Sequence, residues 1–282
     1  MLMRFYPAVW SVISYFIGKA TMEKREKLFA IGREAAMKRK GDRSKNGRAD
    51  FMEFLLKHSE EQEPISDAEL GSNAHILFMA GSETTSTLLA GATYYLLRNP
   101  EVMSKAVREV REAFNKEEDI TFSTASARLS YTLACLEEAL RMYPPVPTVL
   151  VRVTPPGLIS KVSIFDVPPG TQVGVHQLAT NYSPANFRDP YNFVPERWLP
   201  DSKHRDGNRD ARQPFSVGPR NCIGKNLAFS EMRQILARVL WRFDLELVDP
   251  SLAWEKQKSY TLWAKGPLNC RIRDRWQASN TA

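Results

Sequence analysis

One cysteine stands at the centre of Phe215-Ser216-Val217-Gly218-Pro219-Arg220-Asn221-Cys222-Ile223-Gly224, which leaves an irregular polar segment and enters an amphipathic helix. A thiolate is a lasting iron ligand when a loop stabilises its charge, when small neighbours let a flat macrocycle reach the backbone, and when oxidants are kept away. Gly218 and Gly224 permit tight turning and close approach, Pro219 stiffens the bend, and backbone N–H groups around Cys222 are available to the sulfur. Arg220 adds a cation that stays charged. A cysteine in a Gly-rich loop also suits a buried structural thiol, so the case rests on the whole pattern and on the rest of the chain.

Two further groups could do chemistry. Ala80-Gly81-Ser82-Glu83-Thr84-Thr85 lies inside a long apolar run. Glycine costs a helix interior about 1 kcal/mol against alanine, and polar groups buried there need partners. One reading is a small-residue crossing point between helices with an exposed acid. The other is a ligand site, in which Gly81 lets a planar group lie against the helix while Glu83 and Thr84 form an acid–alcohol pair. Glu138 and Arg141, three residues apart, share a helix face and can pair. Exposed pairs of this kind are common and worth little.

The pattern Phe-x-x-Gly-x-Arg-x-Cys-x-Gly resembles the haem-ligand loop of the cytochrome P-450 family, where cysteine is the proximal iron ligand. Ala80 to Thr85 resembles that family's oxygen-binding groove. Pro195-Glu196-Arg197-Trp198 resembles the segment whose arginine joins Glu138 and Arg141 in a structural Glu–Arg–Arg network. The four motifs occur in the family's order, over Phe51 to Arg273. The wording is most similar to filamentous-fungal microsomal members that oxidise secondary metabolites.

The resemblance implies haem b with Cys222 as axial ligand, and Phe215, Gly218, Arg220, Gly224 and Gly81 around it. It places Arg152 near a propionate, Val146 to Val149 and the Tyr260-Thr261-Leu262 turn near substrate, and Thr84 and Glu83 as guides for protons. The implied reaction inserts one atom of O2 into a lipophilic small molecule. Electrons would come from NADPH through a flavoprotein reductase, at the cytosolic face of the endoplasmic reticulum membrane.

These residues need elements to hold them. Met22 to Lys40 has helical spacing at Leu28, Ile31 and Ala35, and Phe51 to Leu56 reads as a shorter helix. Ser66-Asp67-Ala68-Glu69 has capping-box form and opens a helix to Leu97, about 45 Å at the usual rise. Asn99 is the expected N-cap of the next helix, with Pro100 at its first position, running to about Asn115. Tyr131 to Tyr143 is helical and stops at Pro144-Pro145. Val146 to Arg152 and Val173 to His176 read as strands around a turn at Val167 to Thr171, with the register before Val167 unsettled. Lys225 to Trp241 has helical periodicity, and its N-terminus would favour the thiolate. Phe243 to Val248 and Tyr260 to Ala264 read as strands.

The expected fold is mainly α with a small β-sheet region (α+β), with a long central helix and the cysteine loop before the last long helix. With 282 residues, 43% of them hydrophobic and 25% charged, the chain excludes disorder and a multi-spanning membrane protein. Cys135, Cys222 and Cys270 form no Cys-x-x-Cys pair, and His58, His75, His176 and His204 have no metal-ligand spacing. Net charge is +7, partly in Lys38-Arg39-Lys40 and Arg43 to Arg48, which reads as a solvated loop or as a face for anionic lipid or an acidic electron donor. Nothing resembles a nucleic-acid motif. The apolar run Phe5 to Ile17 is interrupted and too short to span a bilayer, so the expectation there is either an interfacial helix in peripheral membrane contact or a buried helix.

The expected organisation is a single domain over 1–282, with 1–65 as helical lead-in and 66–273 as the haem-binding core. Family members are longer, which implies an N-terminally truncated fold with Met1 near the middle of a full chain. Two other readings stay open: an inactive haem-binding fragment, and a non-haem helical interaction protein.

Overall fold

The computed structural model describes residues 19–42, 50–61, 64–157, 159–162, 164–201, 203 and 207–276. The Phe5 to Ile17 run, the Arg43 to Arg48 cluster and His204 lie outside them. The chain is mainly α-helical, with three small antiparallel sheets of two strands each among the described residues. It forms two compact units, Met1–Ser82 and Glu83–Ala282. The boundary falls inside the long helix.

The first unit holds α1 (Lys19–Gly41), α2 (Phe51–Glu61) and the start of α3 (Asp67–Arg98). Leu28 and Ile31 are exposed, and so is Ala35; among the described side chains of α1 the buried positions are Gly32 and Ala36. The reason is a close helix crossing. A Cβ on Gly32 would sit 2.8 Å from the Cα of His75 on α3, so the contact stripe must be made of small residues. Ala36, Leu56 and Leu70 form the small core beneath it. Lys38, Arg39 and Lys40 belong to the last turn of α1 rather than to a loop, where cations complement the helix dipole. Arg39 pairs with Asp50 at 2.9 Å and Glu53 at 3.2 Å, and Lys40 with Asp67 at 2.6 Å.

The capping box at the start of α3 forms as expected. Ser66 N–H donates to Glu69 Oε2 at 2.9 Å, and Glu69 N–H to Ser66 Oγ at 3.2 Å. At its far end the expectation for Asn99 is reversed. Its side chain makes no cap for the following helix; Nδ2 donates back to the Tyr95 carbonyl at 2.7 Å, closing α3 instead.

The second unit adds α4 (Pro100–Ala113), α5 (Phe122–Arg128), α6 (Ser130–Met142), α7 (Gln177–Asn181) and α8 (Lys225–Arg242). Helix α8 packs on α4, α5 and α6. Met232, Leu236, Ala237, Leu240 and Trp241 enter the core, where they meet Leu136, Ala139 and Leu140 of α6. Glu109 of α4 seats the N-terminus of α6, accepting from Tyr131 N–H, Thr132 N–H and Thr132 Oγ1, each at 2.7 Å. Arg111 does the corresponding work at the C-terminal end of α8, donating to the carbonyls of Leu240 and Phe243 at 3.1 Å. These charge-assisted bonds satisfy helix-end groups that have no partner within their own helix.

The sheets are smaller than the sequence suggests. β1 (Arg152–Val153) pairs with β4 (Gln172–Val173), and β2 (Ser160–Val162) with β3 (Phe165–Val167) in a hairpin that fills the stretch whose register was unsettled. β5 (Phe243–Leu247) pairs with β6 (Cys270–Asp274). The segment Tyr260 to Ala264 is not a strand: Tyr260 N–H donates to Leu262 O at 2.9 Å, and a single bridge joins Ser259 to Trp263. That local turn uses up the backbone groups a strand would offer to a neighbour.

Candidate haem-thiolate site and its supports

The cysteine loop is built by two residues in the left-handed backbone region, Ser216 at φ 59° and Gly218 at φ 76°. Glycine takes that conformation without penalty; Ser216 is held there by its N–H bond to Gln213 O at 3.0 Å. Gly218–Arg220 then makes one 3-10 turn, closed by Asn221 N–H to Gly218 O at 3.0 Å. Cys222 N–H donates across the loop to Phe215 O at 2.9 Å. The cysteine amide is thus committed to the backbone rather than to its own sulfur.

Gly224 is the N-cap of α8, and Ala228 N–H donates to Gly224 O at 2.8 Å. The Cys222 side chain is exposed, not a buried structural thiol, and lies two residues before the cap of an 18-residue helix. A Cβ at Gly218 would meet nothing within 4 Å, and one at Gly224 only Cys222 Sγ, at 3.9 Å. The face of the loop is therefore open around a soft sulfur donor, and a flat iron macrocycle fits it. Phe215 flanks the loop and packs on Phe229 at 5.1 Å. Arg220 is exposed. Arg152 is exposed too, donating to Val151 O at 3.2 Å.

On α3, Gly81 is open: a Cβ there would meet nothing within 4 Å. Glu83 and Thr84 are both half-buried. The Thr87 hydroxyl meets the Glu83 carboxylate at 3.5 Å. Helical geometry gives the reason, because residues at i and i+4 stack on one face. Thr87 Oγ1 also donates to Glu83 O at 2.7 Å. Lys265 Nζ donates to both Glu83 Oε1 and Thr87 Oγ1. Neither Thr87 nor Lys265 was marked by any motif.

Glu138, Arg141 and Arg197 come together, and all three are buried. Arg141 donates to the Glu138 carboxylate through Nε at 3.0 Å and Nη2 at 2.7 Å, and Arg197 through Nε at 3.0 Å. Val194 N–H at 3.0 Å and Trp198 Nε1 at 2.9 Å complete its shell. The remaining guanidinium donors reach backbone carbonyls. Arg141 holds Asn181, Pro190 and Asn192, and Arg197 holds Arg188 and Asp189. A buried carboxylate with five donors is a fixed post.

The connection to the cysteine loop runs through Trp198. The Arg212 guanidinium lies 4.2 Å from the Trp198 ring centroid and pairs with Glu137 at 2.6 Å. Arg212 stands next to Gln213, whose carbonyl starts the turn at Ser216. The tetrapeptide Pro195–Trp198 thus brings its tryptophan as well as its arginine to the Glu138 carboxylate.

The cytochrome P-450 family model matches residues 1–268, and the chain belongs to that family. Its members hold haem and are supplied with electrons by a redox partner. Among its relatives, the trichothecene C-4 hydroxylase of Trichoderma arundinaceum is 48% identical over 277 residues, covering 96% of this chain and 56% of the relative. The cytochrome P-450 monooxygenase olcB of Penicillium canescens is 44% identical over 283 residues, covering 98% and 57%. The monooxygenase dtxS2 of Metarhizium robertsii is 49% identical over 249 residues, covering 86% and 48%. The chain spans about half the length of these relatives. Among the described residues, no helix is long and apolar enough to cross a membrane.

Proposed function

We propose that this chain carries the haem-binding core of a monooxygenase, with 66–273 as that core, 1–65 as its helical lead-in, and Cys222 as the axial ligand of haem b. The exposed Cys222 thiol, at the mouth of an open glycine loop and at the head of α8, is the observation that carries the reading. When bound, the haem supplies the activation of O2 that no side chain can perform. The protein's part is to hold and orient. The positive end of α8 favours negative charge on Cys222, and Phe215, Gly218, Arg220 and Gly224 shape the face that receives the macrocycle. Arg152 is the proposed partner of a propionate. Glu138, Arg141 and Arg197 keep the loop's approach rigid, and Gly81 gives access along α3. Thr84 and Glu83 hold and move protons.

The substrate we propose is a lipophilic secondary metabolite of fungal type, drawn from the kind of molecule named for the Trichoderma relative. Val146 to Val149 and Tyr260 to Leu262 would border it. Electrons would come from NADPH through a flavoprotein reductase at the cytosolic face of the endoplasmic reticulum, with peripheral membrane contact. The test is NADPH consumption and oxygenated product, measured with a fungal reductase and a panel of terpenoid and polyketide substrates. Substrate-stimulated consumption that yields a product carrying one added oxygen supports the proposal. A chain that takes up haem with thiolate ligation yet oxidises no member of the panel contradicts the monooxygenase assignment while leaving haem binding standing.

A further inference from the structure

The C-terminal arm 258–266 is anchored at several points before it reaches Glu83. Trp263 Nε1 donates to Pro144 O at 2.8 Å, and its ring stacks on Tyr143 with centroids 4.6 Å apart and planes at 9°. Tyr143 in turn lies so close to α3 that a Cβ on Gly91 would fall 2.6 Å from its ring. Beyond Lys265, the Gly266 carbonyl accepts from Trp254 Nε1 at 3.1 Å. Ala264 N–H donates to Lys258 O at 2.9 Å. Lys265 is therefore gripped on both sides, and its ammonium is delivered to one place on α3, the Glu83 carboxylate and the Thr87 hydroxyl. The lysine side chain is 20% exposed and the Glu83 side chain 37%.

A glutamate on an exposed helix samples several rotamers. Here one oxygen is fixed by a cation from a distant, rigid segment, and the carboxylate is drawn towards Thr87 on its own helix. We infer that Lys265 is a positioning residue that fixes the orientation of the Glu83 carboxylate beside Thr87 through the anchored C-terminal arm. The inference rests on the proposed role of Glu83 in moving protons. It assigns no contact with substrate or cofactor to Lys265. Its consequence is that the partition of reducing equivalents between product and peroxide depends on a residue 182 positions away in the chain from Glu83.

The experiment uses the full chain and two readouts. The first is a thermal-unfolding cycle with Lys265→Met, Glu83→Gln and the double variant. A half-exposed pair predicts a non-additive midpoint shift of about 1–3 °C, largely restored in Lys265→Arg. Strict additivity overturns the tether, whether or not the chain turns over. The second is the ratio of product to hydrogen peroxide per NADPH consumed. Lys265→Met is expected to lower it about tenfold, in keeping with what misplacement of a group by an ångström costs, with Lys265→Arg close to wild type. A ratio changed by Glu83→Gln but unchanged by Lys265→Met overturns the positioning role. If no variant, wild type included, forms product while the coupling persists, the monooxygenase reading fails and the tether stands.

Discussion

Glu138 is the carboxylate on which both buried arginines, Arg141 and Arg197, converge. It is fully buried and satisfied by two arginines, a tryptophan and a backbone amide. Glu138→Ala leaves two buried guanidinium groups without their counter-ion, and should lower unfolding stability by about 3–5 kcal/mol, read by denaturant titration. Loss of less than about 1 kcal/mol would show that the pair is not buried in solution. Glu196 is a milder case. Burial works against its ionisation, but the Lys105 and Tyr131 bonds, each 3.0 Å, together with a backbone bond, hold its carboxyl below the usual 4.5. A depressed folded value contributes stability above the unfolded value, and that contribution is lost as pH falls through the folded one. Glu196→Gln should therefore flatten the acid limb of a stability–pH curve below about 4.5 and leave the neutral region unchanged in slope.

At the scale of elements, close helix approach and buried tyrosines set the behaviour. Gly32→Ala puts a methyl group 2.8 Å from His75 and should push α1 off α3 within the first unit, at about 1–3 kcal/mol. Hydrogen exchange confined to residues 19–82 would report it; unchanged protection there would contradict the crossing. In the second unit Tyr95, Tyr131 and Tyr143 all have pKa values raised chiefly by burial, and Tyr94, by burial first and then by its bond to Glu255, is pushed up to about 12. The folded state keeps these phenols neutral after the unfolded chain has begun to ionise near 10. Stability should fall as pH rises from about 10 towards 12, with tyrosinate absorbance appearing together with unfolding rather than before it.

The same elements show where sequence reasoning reaches and where it stops. The capping box at Ser66, the helices over α1, α3, α6 and α8, and the Cys222 turn were legible because each is specified locally, by caps, periodicity and glycine placement. The buried face of α1 was not, because small residues at a close crossing look neutral in a hydrophobic pattern. The partner of β5 was missed for a related reason. Cys270–Asp274 reads as charged and exposed, and only its distant neighbour makes it a strand. Thr87 and Lys265 escaped because an ion pair between an α3 residue and the C-terminal arm leaves no spacing to find.

For the whole molecule, the central claim is that this family member folds around haem with Cys222 as the iron ligand. The fold holds the thiol at the head of α8, in a loop with room for a flat group, and braces that loop's approach through Arg212, Trp198 and Glu138. The most direct measurement is the carbon monoxide difference spectrum of the reduced, haem-supplemented chain, alongside Cys222→Ala. The account predicts the long-wavelength Soret band of a thiolate-ligated complex in the wild type and its loss in the variant. A wild-type chain without that band, or a Cys222→Ala chain that keeps it, would contradict the account.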